Sequence, residues 1–69
     1  MIRLKVKEVA EQHGLSMARL SRKADIDLRT LQRIYKNPTA EISTATLDKI
    51  ATALGVPASE LIETVADNE

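Results

Sequence analysis

The sequence predicts an all-α domain, five short helices folded around a single core. Three observations predict it. Apolar residues recur at i, i+3 and i+4 in successive windows, the spacing that lines one face of a helix at about 100° per residue. Ser16, Asp27 and Ser43 stand just ahead of three of these windows, where a short oxygen acceptor satisfies the free N–H groups of a first turn. Gly14-Leu15 and Gly55-Val56 end two of the windows, and a glycine followed by an apolar residue is a common helix ending. The chain has 69 residues, so the expectation is one domain over its whole length. A chain this short buries roughly 60% of its unfolded surface, so its core is small.

Met1 to Val6 alternates, with Ile2, Leu4 and Val6 against Arg3, Lys5 and Lys7. That is strand spacing, but it is short and runs into a helical pattern carried by Val6, Val9 and Ala10. The first helix is therefore expected to begin within Arg3 to Val6, after an N-terminal segment of residues 1–5, and to end at Gly14. His13, the only histidine, falls in its last turn and reads as a surface residue favoured by the helix dipole. The second helix is expected over Met17–Ala24 behind Ser16, with Met17, Leu20, Ser21 and Ala24 inward and Arg19, Arg22 and Lys23 outward. These cations suit phosphates or a solvated face equally.

Asp25-Ile26-Asp27 links this helix to the third. Asp25 is expected to take positive φ, which aspartate tolerates better than most residues. Ile26 turns inward, and Asp27 caps the next helix. Two short helices joined this tightly make a helix-turn-helix pattern. Pro38 biases Asn37 away from helical geometry, so the third helix stops there and a loop follows to Ile42. A fourth helix is expected from Thr44 to Leu54 behind Ser43, with Leu47, Ile50, Ala51 and Leu54 inward. A fifth is expected from Ala58 to about Val65 after Pro57, carrying Leu61, Ile62 and Val65. Residues 66–69 should fray.

Composition narrows the function classes. There is no cysteine, so neither a disulfide nor a thiolate metal site is available. No apolar run approaches the roughly 20 residues of a membrane span, and no signal-peptide pattern opens the chain. A cytoplasmic, nucleoid-associated location is the expectation. With one histidine, no glycine-rich phosphate loop and no ligand cluster, neither an enzyme, nor a metal site, nor a cofactor is expected. Net charge is zero, but it is unevenly spread. Met1 to Asn37 holds nine cations against four acids, a net of +5, and Pro38 to Glu69 holds one cation against six acids, a net of −5. Such asymmetry suggests one face for a polyanion and another for something else.

The third helix carries the sharpest signal. Leu28, Leu31, Ile34 and Tyr35 fall on one side, and Arg29, Gln32, Arg33 and Lys36 on the other. Arginine matches a guanine edge with two hydrogen bonds, and glutamine does the same at adenine. This face points to double-stranded DNA, read in the major groove. Leu28 lies near the boundary of the two faces, as core or against a thymine methyl. Asp27 reads as a cap before it reads as a cytosine acceptor. Tyr35, the only aromatic residue, is expected to pack its ring at the domain edge.

The order Leu15-Ser16, Leu20-Ser21, Ala24-Asp25-Ile26, Thr30-Leu31, Arg33-Ile34, Leu47, Lys49-Ile50-Ala51, Ala53-Leu54-Gly55-Val56 and Glu60-Leu61 resembles the Xre/Cro-type phage-repressor family. The likeness runs from Val6 to Leu61, and its most specific part is Leu47 to Val56, LDKIATALGV. It implies a prokaryotic five-helix repressor-like domain that regulates transcription, usually as a dimer, with helix 3 in the major groove. By position it implies base reading by Asp27, Leu28, Arg29, Gln32 and Arg33. Phosphate contacts are implied around Ser16 and Met17, and from Lys36, Asn37 and the loop beyond; Arg19 joins them on its outward position. The sequence departs from the family's frequent pattern at Met17, where a phosphate-anchoring glutamine is common. It also departs at Ser21 and Asp25, often alanine and glycine, and at Tyr35-Lys36-Asn37, often a glutamate-asparagine-glycine turn.

A single domain of this size makes few contacts to DNA, so a homodimer is expected on half-sites about 34 Å apart. Candidate seams are the Met1–Val6 segment, led by Met1 and Ile2, and Leu61, Ile62 and Val65, which also suit the protein's own core. The rival expectation is a protein-interaction role, an antitoxin or a docking module whose acidic Pro38–Glu69 half meets a protein partner.

Overall fold

Helices begin where the chain supplies a side-chain acceptor and end where the backbone turns left-handed. In the computed structural model, which describes residues 1–66, α1 spans Val6–Gln12, α2 Met17–Ala24, α3 Leu28–Lys36 and α4 Thr44–Leu54. Ser16 Oγ accepts from the Arg19 N–H at 3.2 Å, Asp27 Oδ1 from the Arg29 N–H at 3.0 Å, and Ser43 Oγ from the Thr46 N–H at 3.1 Å. All three sequence-expected caps are in place.

Three helix ends share one geometry. Gly14, Asp25 and Gly55 have φ of 69°, 57° and 70°. Behind each, the following N–H returns to a carbonyl five residues back: Leu15 to Ala10 at 3.0 Å, Ile26 to Ser21 at 3.1 Å, and Val56 to Ala51 at 3.1 Å. These bonds take up carbonyls that a helix end would leave bare. Asp25 thus does the work of a glycine at the corner between α2 and α3.

The C-terminal part differs from the expected fifth helix. Ala58–Leu61 makes one 3-10 turn, and Ile62–Thr64 is a strand, β2. It runs antiparallel to β1, Ile2–Leu4, with Ile2 opposite Thr64, Arg3 opposite Glu63 and Leu4 opposite Ile62. Leu61, Ile62 and Val65 fit a helical stripe, but Ile62, Thr64 and Val65 are β-branched and favour a pleated surface. The N-terminal alternation supplies a strand for them to pair with, and that pairing overrides the helical spacing. The described residues therefore form four α-helices and a two-stranded sheet. Ala66 is exposed and outside any element. The rest of the tail expected to fray lies outside the described residues.

The core is where all elements meet. Val6, Leu20, Leu31, Ile34, Ile50 and Leu61 have less than 2% of their surface exposed or close to it, and Leu54, Ala24, Ala51 and Leu4 join them. The sheet is tied to the helices by main-chain bonds from Leu4 N–H to the Pro38 carbonyl and from Lys5 N–H to the Leu61 carbonyl, both 2.7 Å. Arg3 adds a polar tie: it donates to Glu63 on β2 at 2.7 Å and to Glu8 on α1. The hydrogen bond from Arg3 holds the Glu8 carboxyl below the usual glutamate range, and the two carboxylates raise the Arg3 guanidinium in turn.

Candidate nucleic-acid interface

The site is built on the corner between α2 and α3. Ser21 Oγ donates to the Ile26 carbonyl at 2.6 Å, bridging from the last turns of α2 to the link. Ile26 packs against the core as the sequence suggests. The link is thereby fixed at both ends, and with it the angle at which α3 leaves. Alanine at position 21 would fit the space but could not make this bond. Only a hydroxyl close to a chain reversal hints at it in the sequence.

Packing then decides which side of α3 faces outward. Leu31 and Ile34 are buried and Tyr35 is half-buried. Burial, with the Glu11 charge as a lesser cause, raises the Tyr35 phenol above its ordinary range. Arg29, Gln32, Arg33 and Lys36 are all exposed. Leu28 is not on the buried side: it is 39% exposed, because Ile26 already fills the inward place at this corner. Asp27, Leu28, Arg29 and Gln32 thus form one open surface at the start of α3.

Arg33 lies on the flank of this surface. Its Nη2 donates to the Glu41 carbonyl at 3.1 Å, so the side chain leans toward the α3–α4 loop. That loop opens with a tight turn: the Asn37 N–H donates to the Arg33 carbonyl at 2.8 Å and the Ala40 N–H to the Asn37 carbonyl at 3.0 Å. Thr39 Oγ1 donates to Asn37 Oδ1 at 3.0 Å. The Arg33–Glu41 and Thr39–Asn37 bonds were not foreseeable from residue spacing, since both depend on the path of the loop.

Around α3 lie the residues expected at phosphates. Ser16 and Arg19 are exposed at the start of α2, and Lys36 and Asn37 are exposed at the end of α3. The Met17 side chain packs against the core, which leaves its main chain, at the first turn of α2, as the part open to a ligand. Arg19, Arg22 and Lys23 border one shallow hollow beside Leu15. None of Arg19, Arg22, Lys23, Arg29, Arg33 and Lys36 is ion-paired among the described residues; the salt bridges there are those of Arg3.

The expected seam residues separate. Leu61 is fully buried and belongs to the core, so it cannot form a seam. Val65 is held to Met1 by main-chain bonds of 2.9 and 3.0 Å. Met1 and Ile2 are 58% and 50% exposed and line a groove together with half-buried Ile62. His13 is exposed. Among the described residues there is no group of three or more histidines and acids that could hold a metal ion, and no helix is long and apolar enough to cross a membrane. In the acidic half, Glu63 is engaged by Arg3.

No curated protein and no solved structure matches the chain. A family model, described as a Cro/C1-type HTH DNA-binding domain, matches residues 5–67. That span holds both helices of the corner and the exposed face of α3. The chain belongs to the Cro/C1-type helix-turn-helix DNA-binding domains, whose members are DNA-binding regulators.

Proposed function

We propose that the protein binds duplex DNA sequence-specifically by laying α3 in the major groove, and that it acts as a dimeric repressor. The observation that supports this reading is the outward stripe of α3. Its long polar side chains are exposed, carry no acid and have no ion-pair partner among the described residues. Arg29 and Gln32 stand at the centre of the base-reading surface. Asp27 and Leu28 sit at the helix opening, where Leu28 offers an apolar contact to a thymine methyl. Arg33 reaches a base only by releasing the Glu41 carbonyl. Lys36, Asn37, Ser16, the Met17 main chain and Arg19 flank the stripe and hold the phosphates. Repression follows if the operator overlaps a promoter, since a bound domain then excludes the polymerase.

Selection of bound duplexes from a random pool gives the operator, and variant binding then tests the roles. Arg29→Ala should weaken specific binding by about 1–3 kcal/mol and relax selectivity at one base pair. Lys36→Ala should weaken all sequences alike and make the salt dependence shallower by about one contact. If Arg29→Ala leaves base preference untouched, Arg29 does not read a base. If no duplex shifts the NMR signals of α3 at low salt, the proposed function is wrong.

A further inference from the structure

We propose that the groove between the sheet and the start of α4 binds a small, free aliphatic monocarboxylate, its carboxylate held by Arg33 and Thr30 and its chain laid on the apolar floor. The regulatory consequence rests on the DNA-binding reading; the site itself does not.

The register puts Ile2 and Leu4 on the same face of the sheet as Thr64 and Ile62. Leu4 is buried in the core, Ile62 is half-buried, and Ile2 projects beyond the core at 50% exposure. Ile2 therefore walls a floor made of Leu4, Ile42, Leu47 and Ile62. The hollow measures about 1020 Å³ and is partly open to solvent. Small-molecule sites run to about 300–1,000 Å³ and are mostly apolar, with a few polar groups that fix orientation.

Two such groups stand on α3 one turn apart, Thr30 and Arg33. The Arg33 guanidinium gives one N–H to the Glu41 carbonyl at 3.1 Å. That bond holds the head at the groove and leaves its remaining donors unused among the described residues. A planar guanidinium matches a carboxylate with two parallel bonds. Thr30 is half-buried, and its hydroxyl makes no hydrogen bond among the described residues. The other hydroxyls of the groove are engaged: Ser43 Oγ donates to Thr46 Oγ1 and Thr39 Oγ1 to Asn37 Oδ1, both at 3.0 Å.

Charge sets the class of ligand. The Arg33 guanidinium, the Met1 ammonium and the Glu41 carboxylate border the groove. The ammonium donates to the Val65 carbonyl at 3.0 Å, and no ligand contact is assigned to it. Arg33 alone supplies the cation that one carboxylate needs. Glu41 opposes a second negative charge, which disfavours a phosphate dianion or a dicarboxylate. A ligand seated here keeps Arg33 on the loop and away from a base, so it should lower operator affinity. By linkage, the operator should lower ligand affinity by the same factor.

Titration of the whole chain without DNA, followed by methyl NMR, tests the site apart from DNA binding. The probes are hexanoate, octanoate, decanoate and decanol. Decanoate should give saturable one-to-one shifts of the Ile2, Ile42, Leu47 and Ile62 methyls, half-complete at about 1 mM or below. Affinity should rise with chain length, by up to about fourfold per buried methylene. Decanol, which lacks the charge, should bind about tenfold more weakly. Arg33→Gln should weaken decanoate about tenfold and Thr30→Val about threefold. Ile2→Thr, at an exposed strand position, should weaken decanoate more than hexanoate. The circular dichroism of all three variants should match the wild type. No saturable methyl shift, decanol binding as tightly as decanoate, or Arg33→Gln without effect overturns the proposal. Shifts that need anionic vesicles, or that follow protein concentration without ligand, put a lipid surface or a second copy in the groove and overturn it too. Decanoate that fills the groove but leaves operator affinity unchanged overturns the regulatory consequence. A chain that binds decanoate and no duplex sinks the DNA reading alone.

Discussion

Asp27 caps α3 beside the face proposed to read DNA, and replacing it two ways separates stability from recognition. Its Oδ1 accepts from the Arg29 N–H at 3.0 Å, so it satisfies a free donor at the mouth of α3. Removing such a cap costs about 1 kcal/mol. A chain of this length is stable by roughly 3–10 kcal/mol, so Asp27→Ala should lower the melting temperature by about 4–8 °C. Asp27→Ser keeps an acceptor and loses only the favourable charge at the helix N-terminus, about 0.3–1 kcal/mol. On DNA the two variants should behave alike. A carboxylate about 10 Å from a phosphate repels it by roughly 0.4 kcal/mol in water, and salt screens this within about 8 Å. Both should therefore bind every sequence at most about twofold more tightly. Thermal melts and titrations on an operator-variant panel check these effects. If Asp27→Ser destabilises as much as Asp27→Ala, the cap argument fails. If either variant loses about 1–3 kcal/mol of selectivity at one base pair, Asp27 reads a cytosine and the electrostatic account is refuted.

Ser21→Ala should cost about 1 kcal/mol in urea melts by leaving the Ile26 carbonyl without its 2.6 Å donor, and Ser21→Thr should recover part of it. Asp25→Gly should stabilise the chain by about 0.5–1 kcal/mol, because a non-glycine residue at φ 57° is strained; a lower denaturation midpoint would show that the Asp25 side chain matters more than its backbone. Glu8 has a depressed carboxyl in the folded chain, so its contribution is present above the unfolded glutamate range and is lost as pH falls through the folded value. Following the Glu8 carboxyl by NMR should give a midpoint below the ordinary range that returns to it in Arg3→Gln.

The parts legible in the sequence are those set by local chemistry. Ser16, Asp27 and Ser43 act within three residues of themselves, and Gly14, Asp25 and Gly55 act through their own φ, so position alone identifies them. The two faces of α3 follow from helical spacing, and Leu28, which spacing leaves at their boundary, falls on the exposed side while Ile26 packs against the core. The segment after Leu61 is misread for a different reason. Its fate depends on Ile2–Leu4, some 60 residues away, and no local rule carries that pairing. The same holds for Arg33 and Glu41, joined across a loop, and for Arg3, which spans three elements. A stripe read from spacing says which side chains face outward. It does not say which of them are already held by the rest of the chain, and that distinction sets Arg33 apart from Arg29 and Gln32.

Zero net charge is no obstacle to a polyanion partner, because binding does not sense the net charge. At physiological salt a charge is felt over about 8 Å, while the chain extends 38 × 22 × 21 Å. An acid more than one screening length from the contact hardly opposes it. What a duplex senses are the exposed cations of α2 and α3, and their unpaired state among the described residues makes each available to release a counterion. If all six of them met phosphates, the logarithmic salt slope would approach about −5, the steepest this surface supports. Since Arg22 and Lys23 stand at the far end of α2 and Arg33 leans onto the loop, the slope should be shallower, nearer that of two or three contacts per copy. At low salt the screening length grows to about 30 Å, and the acids of the C-terminal half come into range. The affinity gained by removing salt should therefore level off, which a domain of uniformly positive charge would not show.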